Sequence, residues 1–409
     1  MSQLPALIER TTPRASSPST DFSPIVRIQR AIFHEAGALG ASDIHIEPGR
    51  RSTRVRCRIH GALRLTAELP RWLHDSLVVR MKVIAHLDVS ERRVPQDGHI
   101  SAEATGTDDA RLSTLPSRWG EKVVIRLLKR AQDALSLSKI GFPKPFEDKL
   151  RAWIRRSQGI LFVVGPTGSG KTTTLYGLIH ELRNEPINVM TIEDPIEYEV
   201  DGITQVQTNE RAGLTFARVL RAILRQDPDV ILVGEIRDAE TAKTAVHASM
   251  TGHLVLSTLH ANDSVAAISR LAELGIERSV AASVILGVVA QRLVRLNCAA
   301  CAQPDSPKAV YMDCLGIPHS EAGRFRRSTG CSECGFTGSR GRTGMFELLE
   351  MTGRIRELCA EGAEGNEGRI RRTAVDGGMV TLLQQASALA VAGAISIDEA
   401  YRFGYAGEL

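Results

Sequence analysis

The segment Gly165-Pro166-Thr167-Gly168-Ser169-Gly170-Lys171-Thr172 sets three glycines, a lysine and a hydroxyl in the pattern G-x-x-x-x-G-K-[ST]. Glycines at these intervals let successive backbone N–H groups converge on one point. The positive end of a following helix reinforces them, so the loop suits phosphate oxygens. Lys171 would bridge the outer phosphates of ATP, the Thr172 hydroxyl would ligate Mg²⁺, and Thr173 completes the nucleotide-binding set. A glycine-rich turn can carry a lysine by chance, and context argues against that here. The apolar run Ile160-Leu161-Phe162-Val163-Val164 leads into the loop and the helix-forming segment Thr173–Leu182 leaves it, which is the strand–loop–helix setting that the motif requires.

Three further apolar runs end in groups able to do chemistry. Val230-Ile231-Leu232-Val233-Gly234 delivers Glu235. In a doubly wound sheet the carboxyl end of such a strand lies beside the phosphates. Glu235 can then hold Mg²⁺ through water or polarise the nucleophile. Asn188-Val189-Met190-Thr191-Ile192 delivers Glu193-Asp194-Pro195-Ile196-Glu197-Tyr198. Its three carboxylates repel one another unless a cation or solvent compensates them. Taken alone the run fits a solvated acidic turn. Beside a nucleotide loop, Glu193 is the choice for general base. Leu254–Leu259 is framed by His253 and His260. His260 could hydrogen-bond the γ-phosphate, whereas His253 fits a packed, backbone-bonded role equally well.

Seven cysteines complete the reactive set. Cys298, Cys301, Cys331 and Cys334 form two C-x-x-C pairs separated by residues 302–330, a spacing that suits one tetrahedral Cys₄ zinc site. With no open position such a site stabilises the fold and does no chemistry. Cys57, Cys314 and Cys359 stand alone and are expected to pack as small apolar residues.

The elements that must position these groups can be read from periodicity. Residues 1–22, rich in Thr, Pro and Ser, read as a disordered tail. Ile25–Ala38 has helical spacing. Short β-like runs follow at Ser42–Ile46, Thr53–Ile59, Gly61–Leu65, Ala110–Thr114 and Val123–Leu128, with an apolar helix near Leu77–Leu87. This predicts an α+β module. A linker around Ser136–Pro145, marked by Gly141, Pro143 and Pro145, opens a stretch where apolar strands alternate with helices, as in a parallel α/β sheet. The expected boundaries are 23–138 for the first domain and 139–409 for the second. The second domain includes a zinc subdomain at 296–345 and closing helices at 350–409.

Composition bounds the alternatives. At 409 residues, 43% hydrophobic and 24% charged, the chain can bury two or three ordinary cores. No apolar run is long enough to span a membrane, and no apolar h-region opens the chain, so the protein is read as cytosolic. A net charge of +4 permits anionic ligands without arguing for nucleic acid. A nucleic-acid motor would need a basic tract or an aromatic stacking platform, and neither is visible. A silent scaffold would have no use for Lys171, Thr172, Glu193 and Glu235 together.

In this order the motifs resemble the secretion ATPases that drive type II secretion and type IV pilus assembly, over about residues 25–409. Gly165–Thr172 is similar to that family's Walker A motif, Thr191–Tyr198 to its Asp box and Asp229–Asp238 to its atypical Walker B. Thr251–His260 matches the His box, and the four cysteines match the zinc motif of the assembly branch. Upstream, Ala41–Pro48 (ASDIHIEP) and Arg93–Gly98 (RVPQDG) fit the same family. The resemblance implies a PAS-like N-terminal domain, a RecA-like ATPase domain and a homo-hexameric ring. It implies nucleotide held between the two domains, with N-terminal arginines neutralising phosphate charge. The matching positions are Arg56 and Arg58, close to His60, where the family usually has Asp. Mg²⁺ with ATP, a structural Zn²⁺, and an inner-membrane platform with cytoplasmic docking proteins are implied as cofactors and partners. The implied location is the cytoplasmic face of the bacterial inner membrane. Type II members commonly carry a further N-terminal docking domain, where here a short tail is expected. Arg118-x-Gly120-Glu121-Lys122-Val123-Val124 and Thr172–Tyr176 look closer to type II secretion than to the pilus branch, which stays open as the alternative.

Overall fold

The computed structural model describes residues 24–59, 61–106, 109–128, 136–183, 185–361 and 366–405. The tail expected at 1–22, and His60, lie outside the described residues. The chain divides into two compact units, residues 1–131 and 132–409.

The first unit is built on an antiparallel sheet of six strands. These are β1 (Asp43–Pro48), β2 (Ser52–Ile59), β3 (Ala62–Pro70), β4 (Gln96–Ile100), β5 (Asp109–Ser117) and β6 (Gly120–Leu128), in the order β3-β2-β1-β6-β5-β4. Period-2 alternation decides its faces. Val55, Cys57 and Ile59 of β2 and Ile44 and Ile46 of β1 are buried, packed with Ile32 and Phe33 of the helix Pro24–Ala38 and Leu77 and Met81 of the helix His74–Ile84. The alternate positions, Asp43 and Glu47 on β1 and Arg54, Arg56 and Arg58 on β2, form a charged lattice. A fully buried Lys82 pairs with Glu121 at 2.6 Å.

The second unit holds a seven-stranded sheet. Its members are β7 (Gly159–Val164), β8 (Val189–Glu193), β9 (Thr204–Gln207), β10 (Val230–Val233), β11 (Leu254–Leu259), β12 (Ile285–Asn297) and β15 (Ser339–Glu350), in the order β15-β12-β7-β11-β10-β8-β9. All neighbours are parallel except β12 with β15. Every residue of β7, β8, β10 and β11 is buried, as expected of strands covered on both faces. Some of the helices begin where side chains satisfy their free N–H groups. Asp238 caps Ala239–Met250, and Thr381 with Gln384 forms a capping box on Leu382–Val391.

Two features were not foreseen. β12 and β15 run past the rest of the sheet as a long antiparallel ribbon, paired from Gly287↔Glu350 to Asn297↔Ser339. The segment between the two cysteine pairs contains a small two-stranded sheet of β13 (Ala302–Pro304) and β14 (Arg326–Ser328).

Candidate nucleotide site and metal centre

Parallel register brings the chemistry to one edge of the second sheet. Leu259 pairs with Val164, Ser257 with Val233 and Ile192 with Val233, so β7, β11, β10 and β8 finish side by side. The residues that follow them are Gly165, His260, Gly234-Glu235 and, as the last residue of β8, Glu193. Four of the strand ends singled out in the sequence therefore meet in space. His253 sits at the opposite end of β11, with Nδ1 2.9 Å from the Ala248 carbonyl oxygen, in a backbone-tied setting.

The loop after β7 leaves Pro166, Thr167 and Gly168 open to solvent, then turns into the helix Lys171–Leu182 through Gly170 at φ 90°. A Cβ on Gly165 would lie 2.5 Å from the Gln291 carbonyl oxygen, and one on Gly170 2.7 Å from Gln291 Nε2. Gly165 is required by close approach to backbone as well as by its angle, and Gly170 by its left-handed φ. Lys171 donates to the carbonyls of Gly165 (2.8 Å) and Pro166 (3.0 Å). Burial lowers its pKa, Arg292 pushes the same way, and the negative field of Glu235 opposes them. Thr172 is exposed at the start of the helix and Thr173 half-buried.

Glu235 is mostly buried. It is paired with Arg237, and its Oε2 lies 3.7 Å from His260 Nε2. Glu193 is 4% exposed. Its Oε1 accepts hydrogen bonds from Thr191 Oγ1 (2.6 Å) and Gln205 Nε2 (3.2 Å), and its Oε2 accepts from Tyr176 OH (2.5 Å). The acidic run is thus not simply a solvated turn: its first carboxylate is enclosed by neutral donors.

Sequence reading missed the floor of the loop. Gln291 and Arg292 come from β12, far along the chain. Gln291 accepts a 2.6 Å hydrogen bond from Thr174 Oγ1 of the nucleotide helix. Arg292 donates through Nη2 to the Asn262 carbonyl at 2.8 Å, tying down the loop that follows His260. Burial depresses the Arg292 pKa, against Asp263 and Glu347. Among the described residues, Arg292 Nη1 and Ser169 Oγ are buried beside Gly165 with no hydrogen-bond partner. Unsatisfied polar atoms at such a position fit a loop made to receive an anion. The only available signal was two polar residues inside the apolar run Ile285–Val294.

Arg56 and Arg58 lie in the first unit. Arg56 Nη2 is 2.6 Å from Glu47 Oε1, and Arg58 is 3.6 Å from Asp43 and donates to the Gly61 carbonyl at 2.9 Å. Both are engaged by carboxylates of β1.

Cys298, Cys301, Cys331 and Cys334 come together with all four sulfurs within 4.8 Å of one another. The Cys298–Cys331, Cys301–Cys334 and Cys331–Cys334 separations are 3.9, 4.0 and 3.8 Å. Sulfurs about 2.3 Å from a tetrahedral zinc stand about 3.8 Å apart, so the set fits that ion. N–H groups of Cys331 (3.1 Å) and Gly338 (3.3 Å) point at Cys334 Sγ and hold its thiol down, to about 6. Such donors stabilise thiolate. Of the lone cysteines, Cys57 and Cys359 are buried as expected, and Cys314 corrects the expectation: it is exposed, at the end of the short helix Ala309–Cys314. Among the described residues no helix is long and apolar enough to cross a membrane.

A family model described as Type II/IV secretion system protein matches residues 18–402. The Type II secretion system ATPase E of Vibrio cholerae is 48% identical over 358 residues, which is 87% of this chain and 71% of that protein. The Type II secretion system protein E of Klebsiella pneumoniae is 46% identical over 385 residues, 94% of this chain and 76% of its own. The type IV pilus assembly ATPase PilB of Thermus thermophilus is 42% identical over 382 residues, 93% of this chain and 43% of its own. Of solved structures, the pilus retraction motor PilT with bound ADP has a TM-score of 0.65 at 26% identity, covering 91% of this chain and 96% of its own. The ATPase DotB of Legionella pneumophila, at 22% identity, shares the fold with a TM-score of 0.71, over 96% of this chain and 98% of its own. Matches of this length and identity, on a sheet that ends in this loop, lead to one conclusion: the chain belongs to the Type II/IV secretion system protein family and is a RecA-like secretion ATPase.

Proposed function

We propose that this chain hydrolyses Mg-ATP to drive assembly of a pseudopilus in type II protein secretion. The observation that carries the reading is the meeting of Lys171, Glu235, His260 and Glu193 along one sheet edge, in a chain most of which aligns with type II secretion ATPases. Gly165 through Thr173 would wrap the phosphates, with Lys171 following charge onto the leaving group and Thr172 holding Mg²⁺. Glu193 would take the proton of the attacking water, Glu235 would steady the metal through water or polarise the nucleophile, and His260 would read the γ-phosphate. Arg56 and Arg58 would add positive charge from a PAS-like domain spanning 23–138. The four cysteines would hold a structural Zn²⁺ at 296–345 within the ATPase domain 139–409, which the helices of 350–409 complete.

In the same reading the active form is a homo-hexamer on the cytoplasmic face of the inner membrane, contacting a membrane platform and docking proteins. ATP-driven closure of its subunits supplies the displacement. The likeness to PilB supports a second reading, the same engine in pilus assembly. Deleting the gene separates the two. Loss of protein export with intact pili supports the first, loss of pili with intact export supports the second, and no Mg-ATP hydrolysis by purified protein removes both.

A further inference from the structure

Tyr176 lies four residues after Thr172 on the nucleotide helix, so the two share one helical stripe. Its side chain is fully buried, and its hydroxyl is a junction. It donates to Glu193 Oε2 at 2.5 Å, and accepts from Gln205 Nε2 at 3.2 Å and from the Tyr198 N–H at 3.4 Å. One donor and two acceptor positions exhaust what a hydroxyl can offer. The ring packs edge-on against Tyr198, with centroids 5.4 Å apart. Gln205 closes the cage: its two amide hydrogens are shared among Glu193 Oε1, Tyr176 OH and the Tyr198 carbonyl, the last at 2.9 Å, while its Oε1 accepts from the Val200 N–H at 2.8 Å. Burial pushes the Tyr176 phenol far up, and the Glu193 charge adds to this, so it stays protonated as a donor.

The consequence for Glu193 follows by counting. A carboxylate has about four acceptor positions. Thr191 and a shared hydrogen of Gln205 face Oε1, and Tyr176 occupies one position on Oε2, which leaves one direction on Oε2 that no donor faces among the described residues. Among the described residues no cation pairs with Glu193, so nothing but these three donors orients it. Resting on the ATPase reading above, we propose that Tyr176 is a positioning residue for hydrolysis: its hydroxyl aims the one free lone pair of Glu193 Oε2 and links it to the helix that carries Lys171 and Thr172. The nucleotide helix and the base then move as one piece, which is what a base must do to stay aligned with a phosphate held by that helix.

The test is a double-mutant cycle on the full chain with Tyr176→Phe, Glu193→Gln and both, under single-turnover conditions so that slow rates stay readable. Nucleotide affinity is followed with a fluorescent ATP analogue. Tyr176→Phe is expected to lower the hydrolysis rate about 10-fold with affinity changed less than about twofold, and the double variant to match Glu193→Gln alone, because coupled residues do not add. A role in packing alone would weaken binding and rate together, and would still slow the Glu193→Gln background. Full multiplication of the two effects, or a Tyr176→Phe change confined to affinity, overturns the proposal. So does wild-type turnover by Glu193→Gln, which leaves the ATPase reading standing. Absence of hydrolysis by the unmodified chain overturns that reading instead. If Tyr176→Phe fails to fold, Thr191→Val removes a donor from the other oxygen and enters the same cycle.

Discussion

Two buried carboxylates, one in each unit, show how differently the chain treats its charges. Glu47, on β1 of the first unit, faces Arg56 at 2.6 Å, Lys122 at 3.0 Å and Arg54 at 3.9 Å. Burial pushes its pKa up, but hydrogen bonds from Arg56 and Lys122 and their charges outweigh it, and the net shift is downward. Glu193, at the end of β8, is equally enclosed yet held by two hydroxyls and an amide. The first arrangement has already neutralised its charge and answers to the sheet it sits in. The second has no cation partner among the described residues, and in the same unit the Lys171 ammonium donates to the carbonyl oxygens of Gly165 and Pro166. Charges spent on one another hold a fold together, whereas charges kept from one another are available to a ligand.

The largest effect should come from the uncompensated side. Lys171→Ala is expected to cut hydrolysis on the order of 10²-fold or more, read as phosphate release by a protein of normal circular dichroism. Near-normal turnover would erase the distinction. Glu235→Gln and Glu193→Gln should bind the ATP analogue normally and hydrolyse it about 10- to 100-fold more slowly. If only one does so, that residue is the base and the other is structural.

The cysteine cluster lies between these extremes, since its charges would be spent on a metal. Protein purified without chelators should carry about one zinc per chain, measured by atomic emission. Cys331→Ser should lose the metal and melt several degrees lower while still binding nucleotide. Full melting stability with no zinc in the wild type would end the structural-metal reading. Arg56→Ala and Arg58→Ala should reduce ATPase activity only several-fold, because each is already engaged by β1. Unchanged activity in both would confine the lattice to folding.

The smallest effect is a matter of pH. A carboxylate whose folded pKa is depressed contributes stability that is present above its unfolded value near 4.3 and lost as pH falls through the folded value. Melting temperature should therefore fall between pH 5 and 3, and Glu47→Gln should make that fall shallower. An identical profile would mean that Glu47 is not the group responsible.

Much of the site could be read without coordinates, because the nucleotide loop is local. Eight consecutive residues between an apolar run and a helix specify its backbone, and spacing alone pairs each C-x-x-C. The strands β7, β8, β10 and β11 were equally legible, since burial on both faces imposes continuous apolar runs. β9 was not, being four residues with an exposed edge pattern, nor was the length of β12, whose later half leaves the parallel sheet to pair with β15 alone. Glu193 was chosen from its place in an acidic run, but Thr191, Gln205 and Tyr176 arrive from three different elements to enclose it. Gln291 and Arg292 reach the loop across more than a hundred residues. What the sequence determined by itself is whatever depends on neighbours along the chain: the loop, the knuckles, the strand ends. What only tertiary structure decided is which of those groups keep their charge free and which are satisfied. A hydrogen bond to a buried carboxylate is set by strand register and helix packing, which no window of sequence contains.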